Sequence, residues 1–131
     1  MKKLKLKEWI PKEEAEQEHI FTWATMMEGR EPRLRLLSAS MNGILTTAQF
    51  GAKLKRLGRK AGFPDLFLPV RGYASCPGLF IELKRRVGGK VSPEQIAWHD
   101  LLEDQGYTVK TCHGAQSAID TIKQYLDMEE S

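Results

Sequence analysis

Gly78-Leu79-Phe80-Ile81-Glu82-Leu83-Lys84 is the stretch that decides the fold of this chain. It is the clearest strand in the sequence, and its only acid, Glu82, is apolar-flanked on both sides. Burial of Glu82 is therefore expected. A buried carboxylate must be paired, bind a metal, or neutralise itself. Glu82 and Lys84 are two residues apart, so on a strand they share a face.

Reading downstream, Arg85 to Val91 is a basic turn containing Gly88-Gly89. Ser92-Pro93-Glu94-Gln95 then opens a helix. Ser at the N-cap, Pro at the first helical position and Gln at the third match a capping box. The helix runs to about Gln105 and stops at Gly106. Tyr107 to Cys112 is another strand, and Gly114 to Leu126 a final helix with Ala118, Ile119, Ile122, Tyr125 and Leu126 on one face.

Reading upstream, Pro64 to Val70 is apolar apart from Asp65 and reads as a buried strand, with a turn over Arg71 to Pro77. Ala48 to Ala61 is either a short basic helix or a loop, since Gly51, Gly58 and Gly62 interrupt it. Asn42-Gly43 marks a turn, and Leu34 to Ala39 is a short strand candidate. Lys12 to Glu28 reads as a helix: acids crowd its first turn, Gly29 follows it, and Ile20, Phe21, Trp23, Ala24 and Met27 recur at helical spacing. The expected order is helix, three strands, helix, strand, helix. That is an α/β fold with a mixed central sheet flanked by helices on both faces. Residues 1–11 are expected to be an N-terminal arm, 12–126 one domain, and 127–131 an acidic tail.

The 131 residues suit one domain with one core. No run approaches the apolar length of a membrane helix, and the basic N-terminus is followed by no apolar segment of a secretory signal. Neither membrane association nor secretion is expected. Cys76 and Cys112 have no metal-ligand spacing and read as reduced cytosolic thiols. Net charge is only +3, but eight of the cations fall between Arg30 and Lys60, against one acid, Glu31. Such a block is either a solvated face or a footprint for nucleic acid.

Asp65 lies in Gly62-Phe63-Pro64-Asp65 and Gln95 lies thirteen residues after Glu82. Alone, an Asp after Pro caps a turn, Glu-x-Lys is an ion pair on a strand, and Gln95 completes a capping box. Together they form a set of hard oxygen donors with an ammonium beside them. A divalent cation such as Mg²⁺ takes one or two carboxylates plus phosphate and water. That chemistry suits phosphodiester hydrolysis. Glu13 and Gln17 share a helix face with Ile20 and are candidates for the same site, whereas Glu14 and Glu16 read as exposed first-turn acids. His19, His99 and His113 have no ligand or general-base spacing and are assigned no role.

The motifs Glu13-x-x-x-Gln17, Gly62-Phe63-Pro64-Asp65, Ile81-Glu82-Leu83-Lys84-Arg85, Gly88-Gly89, Ser92-Pro93-Glu94-Gln95 and Trp98-His99 resemble a VRR-NUC domain, the virus-type replication-repair nuclease branch of the PD-(D/E)XK superfamily. The resemblance covers about residues 12 to 125 and is to the small stand-alone phage and bacterial members. It implies a restriction-endonuclease-like αβββαβ core and DNA cleavage dependent on Mg²⁺ or Mn²⁺. Asp65 and Glu82 match the metal-binding acids, and Leu83, between Glu82 and Lys84, is a third metal position. Lys84 matches the catalytic lysine, Gln95 the glutamine of the following helix, and Glu13 the first-helix acid, with Glu14 and Glu16 as competing registers. Arg56, Arg59, Lys60 and Arg85 are the expected DNA-binding cations. Stand-alone members are similar to homodimeric Holliday junction resolvases. The implied partners are therefore branched or four-way DNA and a second copy, with Trp9, Ile10, Ile44, Leu45 and Phe50 as apolar surface for it. The implied location is the cytosol of a bacterium or a phage-infected cell. The alternative is a catalytically silent DNA-binding module on the same fold.

Overall fold

A computed structural model of the chain describes residues 12–42 and 47–128. The expected arm, the apolar residues Trp9, Ile10, Ile44 and Leu45, and the last three residues of the tail lie outside the described residues. The first element is helix α1, Glu13–Met27, whose buried residues Glu16, Ile20 and Ala24 recur every four positions as one stripe. Glu31 then accepts the Arg33 N–H, and Pro32 opens a 3-10 turn over Pro32–Leu36. This turn takes most of the strand expected over Leu34–Ala39 and leaves only β1, Ser38–Ala39. Leu34 and Leu37 are both buried, and a spacing of three fits the turn rather than a strand's alternation.

Helix α2, Ala48–Arg56, is capped by Thr47, whose hydroxyl accepts the Phe50 N–H, and it buries none of its residues. The basic segment is thus a helix, ending before Gly58. Strand β2, Leu66–Leu68, is shorter than expected because Pro64 and Pro69 bound it and neither offers an N–H to a ladder. Strand β3, Leu79–Lys84, is buried along its whole length. Helix α3, Pro93–Asp104, carries the capping box, with Ser92 and Gln95 bonded reciprocally. Strand β4, Thr108–His113, and helix α4, Ala115–Leu126, complete the order.

The sheet runs β1-β2-β3-β4, with the first two pairings antiparallel and β3 parallel to β4. A parallel pair needs a crossover, and α3 supplies it. Among the described residues the mixed sheet is flanked by four helices. Leu79, Ile81 and Leu83 of β3 join Leu66, Leu68 and Cys112 against Ile20 and Ala24 of α1 and Ala118, Ile119 and Ile122 of α4. The other face is aromatic. Phe67 and Phe80 stack at 4.2 Å, Tyr107 meets Phe80 edge-on at 5.1 Å, and Phe63 bridges Phe80 to Trp98 of α3. Strand alternation sends Glu82 and Lys84 to this second face, just past the aromatic cluster. Among the described residues no helix is long and apolar enough to cross a membrane.

Candidate active site

Phe67 pairs with Phe80 and Leu66 with Ile81, so one further step of the register sets Asp65 opposite Glu82. Directly opposed residues on one face have Cβ atoms about 4.5–5.5 Å apart. Both side chains are buried, Asp65 at 7% and Glu82 at 1% exposure. Asp65 Oδ2 accepts the Leu83 N–H at 2.7 Å. Two carboxyls this close cannot both carry charge cheaply. Burial first, then the hydrogen bond and negative charge of Asp65, push the Glu82 carboxyl up to about 9; Lys84 opposes the rise and Glu13 adds to it. At neutral pH the metal-free Glu82 carboxyl therefore favours its protonated form.

Gln95 organises the rest. Its Oε1 accepts the Lys84 ammonium at 2.9 Å and the Ser92 N–H at 2.8 Å, and its Nε2 donates to Glu82 Oε2 at 3.1 Å. One side chain thus closes the helix cap, seats the lysine and holds the acid. Lys84 is only 8% exposed, and Gln95 gives its charge a partner. His99 Nε2 lies 3.3 Å from Glu82 Oε1. Burial lowers the imidazole's proton affinity, with Glu103 and Asp100 opposing. His99 had no assigned role in the sequence. Its signal was there: it stands one helical turn after Gln95, on the same face. Trp98 Nε1 donates to the Ala61 carbonyl at 3.0 Å and ties the loop before Asp65 to α3. Gly62 is required in that loop. Its φ is +83°, and a Cβ there would lie 2.9 Å from the Glu94 main chain.

The three first-helix acids separate. Glu13 lines the cleft in front of the carboxyl pair. Its proton affinity is raised, chiefly by burial and secondarily by Asp65, while Lys84 and Arg85 oppose. Glu14 is exposed. Glu16, read from the sequence as an exposed first-turn acid, is buried: it lies four residues before Ile20, inside the stripe that faces the core. It accepts from the Ala115 N–H at 3.2 Å and from Arg86 Nη2 at 3.1 Å, which joins α1 to the first turn of α4. A side chain at Gly114 would meet its Oε2 at 2.7 Å. Gln17 is half-buried.

The cleft holds about 450 Å³, and its lining includes Glu13, Asp65, Glu82 and Gln95 together with Asn42, Lys55 and Arg59. Arg56, Lys60 and Arg85 are exposed, and none of them lines the cleft. Arg59 is not a free cation. Its Nε donates to Asn42 Oδ1 at 2.8 Å and its Nη2 to the carbonyls of Met41 and Asn42, so it ties the 41–42 segment to the end of α2. Lys55 reaches the cleft although its spacing alone did not single it out.

Among the described residues no group of three His, Cys, Asp or Glu side chains is placed to chelate a metal. The donors that converge are the two carboxyls and the main chain of Leu83, which is an oxygen set. Such a set suits Mg²⁺ or Mn²⁺, which fill the remaining positions with water and phosphate, and not zinc.

A model of the VRR-NUC domain family matches residues 1–116 of the chain. Among solved structures, a VRR-NUC domain protein superposes with a TM-score of 0.73 at 26% identity, covering 92% of this chain and 93% of its own. No curated protein matches.

Proposed function

The chain belongs to the VRR-NUC domain family, a nuclease-type domain, and we propose that it is a divalent-metal-dependent DNA endonuclease, selective for branched DNA such as four-way junctions. The observation that carries the reading is the buried Asp65–Glu82 carboxyl pair opening on a cleft that Lys55 and Arg59 also line. Mg²⁺ or Mn²⁺, when bound, supplies Lewis-acid polarisation of a phosphate oxygen and an acidified water. Asp65 and Glu82 would hold the ion together with the Leu83 carbonyl. In a strand the N–H and C=O of one residue face the same edge, and the Leu83 N–H is turned to Asp65.

The chain's own groups do the rest. Gln95 and His99 fix both Glu82 oxygens, so the acid is oriented before substrate arrives. Lys84 is held at the edge of the site by Gln95 and would steady the charge that develops on phosphorus. Glu13, at the mouth of the cleft, would accept a hydrogen bond from a water bound there. Lys55, Arg56, Lys60 and Arg85 would contact DNA phosphates on either side. Resolving a four-way junction takes two symmetric cuts, and a two-fold homodimer supplies two such sites. The cytosol of a bacterium or a phage-infected cell is the setting that fits this substrate and the two free thiols.

The deciding experiment is nicking of a four-way junction with Mg²⁺ or Mn²⁺ against EDTA. Cleavage restricted to the metal lanes, and lost in Asp65→Ala, is expected. The alternative reading is a catalytically silent DNA-binding module that keeps the fold and its basic residues. Tight junction binding with intact DNA in both metals would establish that reading instead.

A further inference from the structure

A second cavity, of about 300 Å³, adjoins the cleft behind Phe63. The end of α2, the 40–42 segment and α3 enclose it. Its apolar wall is Met41, Leu54, Phe63 and Trp98, and Arg59 and Lys60 stand on its rim. Asn42, Arg59 and Phe63 line both this cavity and the cleft, so the two adjoin.

We propose that this cavity receives one unstacked nucleobase of the DNA strand whose phosphate occupies the neighbouring cleft. The inference rests on the nuclease reading and deepens it. Three features point to a base. The floor is aromatic and rigid: Trp98 is pinned by its bond to Ala61, and Phe63 meets it edge-on at 5.2 Å. A nucleobase is the apolar, flat part of a polyanion, and here the apolar walls are ringed by cations, with Lys60 and Arg56 outside for the flanking phosphates. The cavity suits one base and excludes a duplex, which fits branched DNA, where a nucleotide at the crossing is already poorly stacked and cheap to extrude.

The same atoms say how the base is read. Of the neutral polar side chains in the wall, Asn42 has its groups committed: Oδ1 accepts from Arg59, Nδ2 donates to the carbonyls of Lys60 and Phe63, and the Ser40 hydroxyl accepts the Asn42 N–H. Their remaining capacity toward a base edge is small. Recognition is therefore by shape and stacking, tolerant of base identity.

The test places 5-iodouracil singly at each position around the mapped cut in a four-way junction and irradiates the EDTA-arrested complex. Expected is one position that cross-links to Met41, Phe63 or Trp98, as located by mass spectrometry. Leu54→Trp fills the cavity from a helix that buries none of its own residues. It should abolish that cross-link and weaken junction binding on the order of ten-fold, the size of one base–aromatic contact. Gln49→Trp, exposed on the same helix, should do neither. Cross-links confined to other residues, or an unchanged cross-link in Leu54→Trp, overturn the base pocket while leaving a cleaving enzyme intact. Junction DNA that is neither bound nor cut removes the nuclease reading, and the pocket with it.

Discussion

Glu82→Gln should make the metal-free protein more stable, and increasingly so as pH rises. The wild-type pair retains a proton that the unfolded chain has released, because the Glu82 carboxyl is pushed up to about 9 from an ordinary value of 4.5. The sign follows from proton counts. Between those two values the folded state binds more protons than the unfolded state, so wild-type stability falls as pH rises. One retained proton gives a slope of up to about 1.4 kcal/mol per pH unit. Glutamine keeps the shape of the protonated acid, carries no titrating proton, and removes the slope. Other groups act on the same curve. His99, lowered by burial, makes stability rise with pH below its ordinary range, and the lowered Cys76 thiol acts in that direction near pH 9. Comparing variant with wild type at pH 7 and pH 8 in EDTA cancels the Cys76 contribution, and both pH values lie above the range in which His99, which contacts Glu82, binds a proton.

The assay is urea unfolding of each protein at the two pH values, with and without 10 mM Mg²⁺ (about the usual saturating range for a carboxylate–phosphate site). The expected result is a gap that widens by about 1 kcal/mol from pH 7 to pH 8 without metal. Magnesium should stabilise the wild type alone and release close to one proton. Equal slopes in the two proteins would refute the retained proton. Equal stabilisation by magnesium would show that the ion binds elsewhere.

Lys84→Ala should slow cleavage by about 10²–10³-fold, as expected for loss of one group that stabilises transition-state charge. Its Mg²⁺ affinity by calorimetry should stay within a few-fold of wild type, and loss of metal binding would make the lysine a structural partner of the acids. Neutralising Arg56 and Lys60 together should weaken binding to every DNA shape and reduce the salt dependence by about 0.9 for each phosphate no longer neutralised. An unchanged slope would place both side chains in solvent. Arg59→Ala should behave differently, lowering stability by about 1–2 kcal/mol through the three bonds it makes to residues 41 and 42. Glu16→Ala should cost about 2 kcal/mol, since it removes the buried acceptor of the Ala115 N–H while half-exposed Arg86 turns to water. Its cleavage rate, measured well below the melting point, should be near that of the wild type.

Most of the fold was legible because its elements announce themselves locally. The Ser92–Gln95 cap, the apolar β3 and the amphipathic α4 each lie within a residue or so of the expected bounds. The segment from Leu34 to Ala39 was not. A Glu-Pro pair converts it to a turn, and the buried leucines at 34 and 37 have the turn's spacing of three, a signal that shows only once their burial is known. The residues around the carboxyl pair were harder in a specific way. A charged residue in a first helical turn is exposed on most helices, so Glu16 looked ordinary; only α4, a hundred residues later, explains its burial. The bonds that hold Arg59, to Asn42 and the Met41 carbonyl, are assembled by the fold and leave no mark in sequence spacing.

Gln95 shows why local and functional signals merge in this chain. A glutamine at the third position of a capped helix needs no further explanation, since its side chain satisfies the N-cap N–H. Here the cap uses only Oε1, and that oxygen has a second lone pair. The Lys84 ammonium takes it, leaving Nε2 to hold Glu82. The helix start, the lysine and the buried acid therefore share one rigid amide. Displacing that amide would loosen both charged groups at once, and α3 itself by a smaller amount. The His99 contact follows from the same geometry, because a helix anchored at Gln95 presents its next turn to the other Glu82 oxygen. The crossover that parallel pairing of β3 and β4 demands is thus also the scaffold of the site. The strand supplies the charges, and the helix that must cross over the sheet orients them.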